Sequence, residues 1–239
     1  MAGHEVLGEV KGEVKVENAS AAMPSAQHFS QTRDWPGYFR AVIGKPPRDT
    51  LLGALQRFDA ERLVDAEVAE RPGVSSGKFA VDFGCGEGRD TLELLARGWR
   101  VHAFDGHQMG LDLLRERVPD ELKERVKVEL AGFAGARWEK CQLLNASFAL
   151  PFCLPGEFAG VWARVVDSIE VGGRFAGQLF GDRDSWATIP DRTHHQRGEM
   201  DGLFRGFVLE ELREEEKDSA DAAGTPKHWH VYHVIARKA

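Results

Sequence analysis

The segment that most constrains this chain is residues 79–105, FAVDFGCGEGRDTLELLARGWRVHAFD. An apolar run enters a turn with alternating glycines, a helical segment follows, and a second apolar run ends at Asp105. A strand, a glycine turn, a helix and a second strand ending in an acid form the unit that binds nucleotide cofactors in α/β sheets. The segment therefore predicts a doubly wound α/β fold with a cofactor site at the glycine turn.

The spacing of the glycines differs from both common phosphate-binding motifs. A dinucleotide motif needs G-x-G-x-x-G; Gly84 and Gly86 fit it, but Arg89 occupies the third position. A P-loop needs a Lys followed by Ser or Thr after the glycines, and this turn has no such pair. Asp82, two residues before the first glycine, would repel a phosphate and attract a positively charged ligand.

These features favour S-adenosylmethionine as the cofactor. Its methionine end carries an ammonium group, which Asp82 can neutralise, and its sulfur is cationic. Its ribose has two hydroxyls, and a carboxylate at the end of the second strand can accept a hydrogen bond from each. Asp105 stands at that position, 23 residues after Asp82, which is about the offset expected for this geometry.

At this point the chain resembles a known family. VDFGCGEGRDTLEL resembles motif I of the class I S-adenosylmethionine-dependent methyltransferases, and VHAFDG resembles the motif that ends in the ribose-binding acid. The GEGRD extension, in which Arg89 and Asp90 open the helix, is similar to the tellurite-resistance branch of that family. The resemblance covers about residues 35–239 and implies a Rossmann-like methyltransferase fold with S-adenosylmethionine as the cofactor.

The resemblance also implies a set of cofactor-binding residues at the first two strands. Asp82, Gly84 and Gly86 would lie along the methionine moiety. Asp105 would hold the ribose hydroxyls, with Gly106 and His107 beside the adenine. These assignments agree with the charge argument made from the residues themselves.

Two further positions follow from the resemblance. After the third strand the family usually has an acid that touches the adenine amine, whereas this chain has Gly132 and Phe133, which offer backbone and ring contacts. After the fourth strand, Asn145 and Ala146 would border the methyl group of the cofactor, with Ser147, Phe148 and Leu150 near the acceptor.

The hydrophobic pattern predicts alternating strands and helices from residue 78 onward. The clearest helix carries apolar residues at i, i+3, i+4, i+7, i+8 and i+11 from Phe158 to Ile169. Strands are predicted over 78–83, 100–104, 126–130, 142–146, 172–181, 207–211 and 230–236. This is a mostly parallel, seven-stranded sheet with an antiparallel last strand, and the acidic stretch 213–227 is predicted to be a surface loop.

The chain is expected to form one domain over residues 34–239, after a disordered tail over 1–33 rich in charged, Ala and Ser residues. A helix is expected to begin near Asp49, and Trp35, Tyr38 and Phe39 could form either a lid over the cofactor or a hydrophobic anchor.

Composition narrows the partners and the compartment. The formal net charge is −7 and no basic stripe is visible, so nucleic acid is not expected as a partner. No apolar run is long enough for a transmembrane helix, the N-terminus has no signal-peptide core, and no membrane partner is expected. The three cysteines lack metal-site or disulfide-framework spacing, which favours reduced thiols and a cytoplasmic location.

No residue stands out as the catalytic group. His194, His195 and Asp182 follow the fifth strand, where loops cap the site in this kind of fold, and they are weak candidates for a general base. In the same stretch, Arg183 could bind an anionic substrate group, although a solvated charge explains it better, and Trp186 could line a pocket. The histidines of HWHVYH lack zinc-site spacing, so no metal is expected.

The sequence thus predicts a methyltransferase that uses S-adenosylmethionine and acts on a small-molecule acceptor. Two alternatives stay open: a methyltransferase-like protein that binds the cofactor without turnover, and a nicotinamide-dependent oxidoreductase.

Overall fold

The computed structural model describes Met1, residues 33–68 and residues 78–239. The predicted N-terminal tail therefore lies almost entirely outside the described residues. Two helices precede the sheet: α1 spans Trp35–Val42, and α2 spans Asp49–Val68 and begins where the sequence predicted.

The sheet and its connecting helices follow in regular alternation. In chain order they are β1 (Phe79–Phe83), α3 (Arg89–Ala96), β2 (Arg100–Asp105), α4 (Gln108–Arg117), β3 (Val126–Leu130), β4 (Cys141–Ala146), α5 (Pro155–Ser168), β5 (Ile169–Gly181), β6 (His194–His195), α6 (Met200–Leu203), β7 (Phe207–Ala220) and β8 (Pro226–Lys238). Short 3₁₀ turns cover Asp120–Arg125, Leu150–Phe152, Ser185–Thr188 and Arg197–Glu199.

The strands form one sheet in the order β3-β2-β1-β4-β5-β8-β7, and the two-residue β6 pairs with β5. Strands β1 to β5 run parallel, whereas β8 is antiparallel to both β5 and β7. The predicted parallel sheet with an antiparallel last strand is confirmed; β6 is an addition that the sequence pattern did not predict. Because β1 lies between β2 and β4, the strand order reverses there, and this is where such sheets bind ligands.

Each face of the sheet has its own hydrophobic core. Helices α2, α3 and α4 cover one face with leucines such as Leu55, Leu94 and Leu114, each at most 1% exposed. Helix α5 covers the other face with the apolar stripe that includes Val161 and Val165. This two-sided packing confirms the doubly wound arrangement and explains why β1 and β4 are apolar on both faces.

The prediction of a surface loop over 213–227 is wrong. The acidic stretch continues β7 to Ala220 and pairs with β8, so the two strands form a long antiparallel ribbon. The acids of β7 face basic side chains on β8: the register places Glu216 opposite His230 and Asp218 opposite His228. Opposite charges across a strand pair stabilise it, which offsets the poor strand propensity of Glu and Asp.

Candidate functional site

The glycine turn connects the carboxyl end of β1 to the first residue of α3. Gly84, Gly86 and Gly88 all have positive φ, at 74°, 54° and 88°. A Cβ on Gly84 would lie 2.6 Å from the Cβ of Ala149, and one on Gly88 would lie 2.3 Å from the Leu114 side chain. Only glycine therefore satisfies both the backbone conformation and the close packing of this turn.

Asp82 is the centre of a buried polar network at the end of β1. It is 1% exposed, and its two carboxylate oxygens accept hydrogen bonds from Thr91 Oγ1 at 2.5 Å and Asn145 Nδ2 at 2.9 Å. The same Asn145 nitrogen lies 3.0 Å from Asp90 Oδ2, and the Asp90 Oδ1 atom accepts from the backbone N–H of Arg48 at 2.9 Å. Asp82 and Asn145 are register partners in parallel strands, which is why they meet.

This network places two carboxylates close together in a site that water barely reaches. Burial, and secondly the negative charge of Asp90, raise the pKa of Asp82 to about 7. The carboxylate of Asp82 is therefore suited to a ligand that brings a positive charge, because a cation would offset the cost of keeping it ionised.

Asp105, at the end of β2, faces the turn from the neighbouring strand. Its Oδ2 accepts from Gly86 N–H at 3.0 Å and its Oδ1 from His107 N–H at 2.8 Å. Burial raises the pKa of its carboxyl group, and the two backbone hydrogen bonds act in the opposite direction. The side chain is thus fixed at the position where the sequence predicted a ribose-binding acid.

A cavity of 360 Å³ opens between these strand ends, a size typical of small-ligand sites. Most of the predicted cofactor residues line it, namely Asp82, Gly84, Gly86, Asp105, Gly106, Gly132 and Phe133. Asn145 and Ala146 do not line it, since both are fully buried behind Asp82 or in the core. Asn145 thus contacts Asp82, and Ser147 and Phe148 occupy the cavity wall after β4.

Helix α1 forms the opposite wall of this cavity. Trp35, Tyr38 and Phe39 all line it, and a Cβ on Gly86 would come within 3.3 Å of the Phe39 ring. Phe39 is 2% exposed and also packs against the His107 ring, with centroids 5.6 Å apart. The three aromatics thus line the cavity, and the buried Phe39 anchors the helix; that they cover a bound cofactor stays a prediction.

A second cavity of 290 Å³ adjoins the first. The two share wall residues from α1, from the start of α2 and from the segment after β4: Arg33, Trp35, Tyr38, Arg48, Phe148 and Phe152. Trp186, Trp229 and the far end of the β7–β8 ribbon complete the second cavity. Phe148 stands at the junction with a φ of 51°, a conformation that non-glycine residues seldom adopt outside functional sites.

The sequence did not single out the residues that the ribbon contributes to the second cavity. Lys217, Ser219 and Trp229 lie in or beside the segment predicted to be a loop. Of the residues around the second cavity, the sequence suggested Trp186 as part of a pocket wall, and Trp186 does line this cavity.

The weak catalytic candidates lie elsewhere. His195 is 7% exposed and packs on Phe158, with ring centroids 4.7 Å apart, and His194 packs on Phe180 at 5.6 Å. Burial lowers the pKa of both imidazoles. Asp182 is near His230, at 3.5 Å from its Nδ1. None of the three lines either cavity.

Arg183 is also kept away from the cavities. Its guanidinium pairs with Glu214 at 2.7 Å and Glu216 at 2.8 Å on β7, in agreement with the reading of a surface charge. Within the described part of the chain, no cluster of three or more His, Cys, Asp and Glu side chains has an arrangement suited to a metal ion. None of the described helices has the length and hydrophobicity needed to cross a bilayer.

The residues of the first cavity fit S-adenosylmethionine. The glycine turn is surrounded by the acids Asp82, Glu87, Asp90 and Asp105, which would repel a pyrophosphate. The same acids suit an ammonium, a sulfonium and a pair of ribose hydroxyls. The carboxylate of Asp105 can accept hydrogen bonds from the ribose, and the glycine backbone allows a ligand to approach closely.

Comparisons with known proteins agree with this site. The family model described as "Tellurite resistance protein TehB" matches residues 57–173, just under half of the chain. A search of curated proteins found no match.

Solved structures share the fold at low sequence identity. TehB from Haemophilus influenzae superposes with a TM-score of 0.59 at 19% identity, covering 75% of this chain and 62% of that one. Magnesium protoporphyrin IX methyltransferase from Synechocystis PCC 6803, solved with bound SAM, gives 0.56 at 14% identity over 92% and 99% of the two chains. A 1,6-didemethyltoxoflavin-N1-methyltransferase from Burkholderia thailandensis gives 0.56 at 19% identity over 92% of each. The glycine-turn motif, the family match over residues 57–173 and the shared fold thus make this chain similar to the class I S-adenosylmethionine-dependent methyltransferases, including those of the tellurite-resistance branch.

Proposed function

We propose that this protein transfers a methyl group from S-adenosylmethionine to a small-molecule acceptor. The observation that carries the proposal is the convergence of Asp82 and Asp105 on one cavity at the strand-order reversal, with the glycine turn between them. When bound, the cofactor supplies an electrophilic methyl group on a cationic sulfur.

The chain's own residues would bind and orient the cofactor along this cavity. Asp82 would pair with the methionine ammonium, and Asp105 would accept hydrogen bonds from the ribose hydroxyls. Gly132 and Phe133 would border the adenine, Phe133 with its ring. Arg48, whose backbone N–H already binds Asp90, lies at the methionine end and would pair with the carboxylate there.

The adjoining cavity would hold the acceptor, because the two cavities share a wall where a methyl group could pass between them. Two similar structures are named for the methylation of small ring compounds, a magnesium protoporphyrin and a toxoflavin precursor. Their shared fold supports a small molecule rather than a macromolecule as the acceptor of this chain.

The residues of the shared wall also indicate whether the protein itself deprotonates the nucleophile. None of the described residues that line both cavities is an Asp, a Glu or a His. Among these shared residues, the Tyr38 hydroxyl is therefore the side chain that could take a proton, and no carboxylate or imidazole is there to do so. The wall instead carries Arg33, which would stabilise a nucleophile that arrives already deprotonated.

Calorimetry with S-adenosylhomocysteine tests the cofactor site. We expect one molecule to bind per chain, and Asp105→Ala to weaken binding about ten- to a hundredfold, since hydrogen bonds to a charged group are lost. Asp112→Ala is the matched control, because Asp112 is an exposed acid of α4 that lines neither cavity and contacts Arg115 and Gln108. Absence of binding to the intact protein, or undiminished binding by Asp105→Ala, contradicts the proposal.

A transfer assay separates catalysis from cofactor binding alone. Tritiated-methyl S-adenosylmethionine and a mixed metabolite extract should yield a labelled small molecule that depends on the protein. Binding without any labelled product would favour the non-catalytic alternative. Quenching of NADH fluorescence by the protein would instead favour the oxidoreductase.

We also propose a cytoplasmic location. Cys85, Cys141 and Cys153 are free and buried, and burial raises the pKa of Cys141 to about 12 and that of Cys153 to about 11. Protonated, buried thiols suit a reducing compartment. Fractionation of cells that make the protein tests this.

A further inference from the structure

The second cavity has an aromatic wall, defined here as Trp35, Phe152, Trp186 and Trp229. These rings come from α1, from two 3₁₀ turns and from β8. They meet at centroid distances of 4.9 Å for Trp35–Phe152, 6.2 Å for Phe152–Trp186 and 5.6 Å for Trp186–Trp229. The interplanar angles are 78°, 58° and 55°, so no pair is a parallel stack that would use up the ring faces.

Two rings of the aromatic wall contact a buried lysine behind them. Lys227 Nζ lies 4.2 Å from the ring centroids of both Trp186 and Trp229, and it forms an ion pair with Asp184. Lys227 is 5% exposed and Asp184 3%, and neither lines the cavity. The ammonium group thus contacts both indoles, and the Arg192 guanidinium also lies 4.9 Å from the Trp186 centroid. Trp229 has no second cation over its ring among the described residues, so it is the indole best placed to stack on a ligand. A fixed wall of this kind suits a flat ligand that stacks.

The cavity also has an excess of positive charge. Its described lining carries five basic side chains, Arg33, Lys45, Arg48, Arg192 and Lys217, against three acids, Asp34, Glu215 and Asp221. Arg33 and Arg192 both contact Asp191, and Lys217 pairs with Glu215 at 2.6 Å. Lys45 has no acid within ion-pair distance among the described residues, and it lines only the second cavity. Pro46 and Pro47 follow Lys45 and restrict the backbone from which its side chain extends.

We propose that the acceptor is a planar aromatic molecule carrying an anionic group such as a carboxylate; this inference rests on the proposed function. Its rings stack on the aromatic wall, its anionic group faces Lys45, and its nucleophilic atom points past Phe148 toward the cofactor cavity. In the transfer, the bond from sulfur to the methyl carbon breaks, and sulfur keeps the electron pair and becomes a neutral thioether. The nucleophile supplies the pair for the new bond, and its negative charge is neutralised.

Binding of 2-naphthoate to the protein saturated with S-adenosylhomocysteine tests this class. Two matched probes separate the two requirements: 2-naphthalenemethanol keeps the rings without the charge, and decahydro-2-naphthoate keeps the charge without the aromatic faces. In calorimetry, 2-naphthoate should bind about tenfold more tightly than the saturated acid, as expected for lost stacking. It should bind about three- to fivefold more tightly than the alcohol, as expected for a partly exposed ion pair.

Each variant should erase one of these preferences and leave the other. Lys45→Met should remove the preference for 2-naphthoate over the alcohol, and Trp229→Leu the preference over the saturated acid. Lys140→Met, an exposed lysine outside both cavities, is the control and should change neither. S-adenosylhomocysteine binding reports whether each variant is folded.

The proposal is overturned if the three probes bind equally or not at all, or if Lys45→Met and Lys140→Met behave alike. Such a result with S-adenosylhomocysteine still bound rejects the acceptor class alone. Loss of S-adenosylhomocysteine binding by the unmodified protein would reject the proposed function as well.

Discussion

Asp82 is a buried carboxyl group whose ionisation costs free energy unless a cation binds next to it. Its burial and the neighbouring Asp90 raise its pKa to about 7, while Thr91 and Asn145 orient its oxygens. A residue selected only for stability would not be a carboxylate here, because a neutral amide satisfies the same partners. The cost is consistent with a site organised to bind an ammonium group.

The first prediction concerns stability against pH. Between about pH 4 and about pH 7 the folded chain keeps a proton on Asp82 that the unfolded chain has released. The contribution of Asp82 to the free energy of unfolding therefore falls as pH rises through this window, by up to about 1.4 kcal/mol per unit, and levels off above it. Urea unfolding of the cofactor-free protein should show that Asp82→Asn removes this slope, whereas Asp112→Asn keeps it. An unchanged slope in Asp82→Asn would contradict the assignment.

The second prediction concerns the same proton and the cofactor. Pairing with an ammonium needs the ionised form of Asp82, so binding must release its proton below its pKa. The affinity for S-adenosylhomocysteine should fall by up to about tenfold per unit as pH drops from about 7 to about 5. Calorimetry over this range measures it, and Asp82→Asn should bind weakly with little pH dependence. Constant affinity of the unmodified protein across the range would exclude the pairing.

At the scale of elements, the site depends on how α3, α4 and α1 approach the sheet. Gly88 precedes α3 with a φ of 88° and touches Leu114 of α4. Helix α1 packs over Gly86 through Phe39, and Asp34 caps its first turn by accepting from Gly37 N–H at 3.0 Å. The cofactor cavity is thus enclosed by helix contacts that involve the glycine turn itself.

The third prediction tests the turn. Gly88→Ala should lower the free energy of unfolding by about 2–3 kcal/mol, because the new Cβ is both in a left-handed conformation and 2.3 Å from the Leu114 side chain. Gly160→Ala in α5 is the control, since a Cβ there meets nothing within 4 Å. It should raise stability by up to about 1 kcal/mol. Equal effects in urea unfolding would show that the close packing of Gly88 is unimportant.

The fourth prediction concerns α1. Because Trp35, Tyr38 and Phe39 line the cofactor cavity, S-adenosylhomocysteine should slow amide hydrogen exchange in residues 35–42. Residues 159–168 of α5, on the opposite face of the sheet, should change little. Exchange followed by mass spectrometry measures both segments. Unchanged protection of α1 at saturating ligand would mean that this helix does not cover the ligand.

For the whole molecule, one buried arginine ties distant parts of the chain together. Arg174 on β5 is 1% exposed and pairs with Glu61 of α2 at 2.5 Å and with Glu210 of β7 at 2.7 Å. Its guanidinium also lies 4.5 Å from the centroid of the Phe58 ring. A helix, a central strand and the edge strand β7 thus converge on a single charge.

The fifth prediction follows from this arrangement. Arg174→Met should lower the free energy of unfolding by about 3 kcal/mol, since it removes the buried charge that pairs with both Glu61 and Glu210 and leaves Glu210 only the more distant Arg57, at 3.5 Å. Arg213→Met, which removes an exposed pair with Glu215, should cost less than about 1 kcal/mol. The double variant Arg174→Met with Glu210→Met should recover part of the loss. Urea unfolding checks all three, and equal costs for the two arginines would be the contrary outcome.

Local requirements explain how much of this molecule could be predicted from its sequence. The glycine turn, Asp82 and Asp105 were recognisable because positive φ, strand alternation and charge are properties of short segments. The order of strands and helices followed for the same reason. The ribbon over 207–238 was missed because its acidic residues have low strand propensity, and pairing with His228, His230 and Arg183, which are distant in sequence, stabilises the strand.

Thus the sequence alone determined the fold class and the chemistry of the cofactor turn, since both depend on residues that are near each other along the chain. Tertiary structure decided which residues complete the site. It placed Asn145 behind Asp82 instead of in the cavity, packed His194 and His195 away from it, and brought Trp229 to the second cavity. These positions depend on packing between segments far apart in sequence, where burial and charge pairing, rather than local propensity, select the arrangement of lowest free energy.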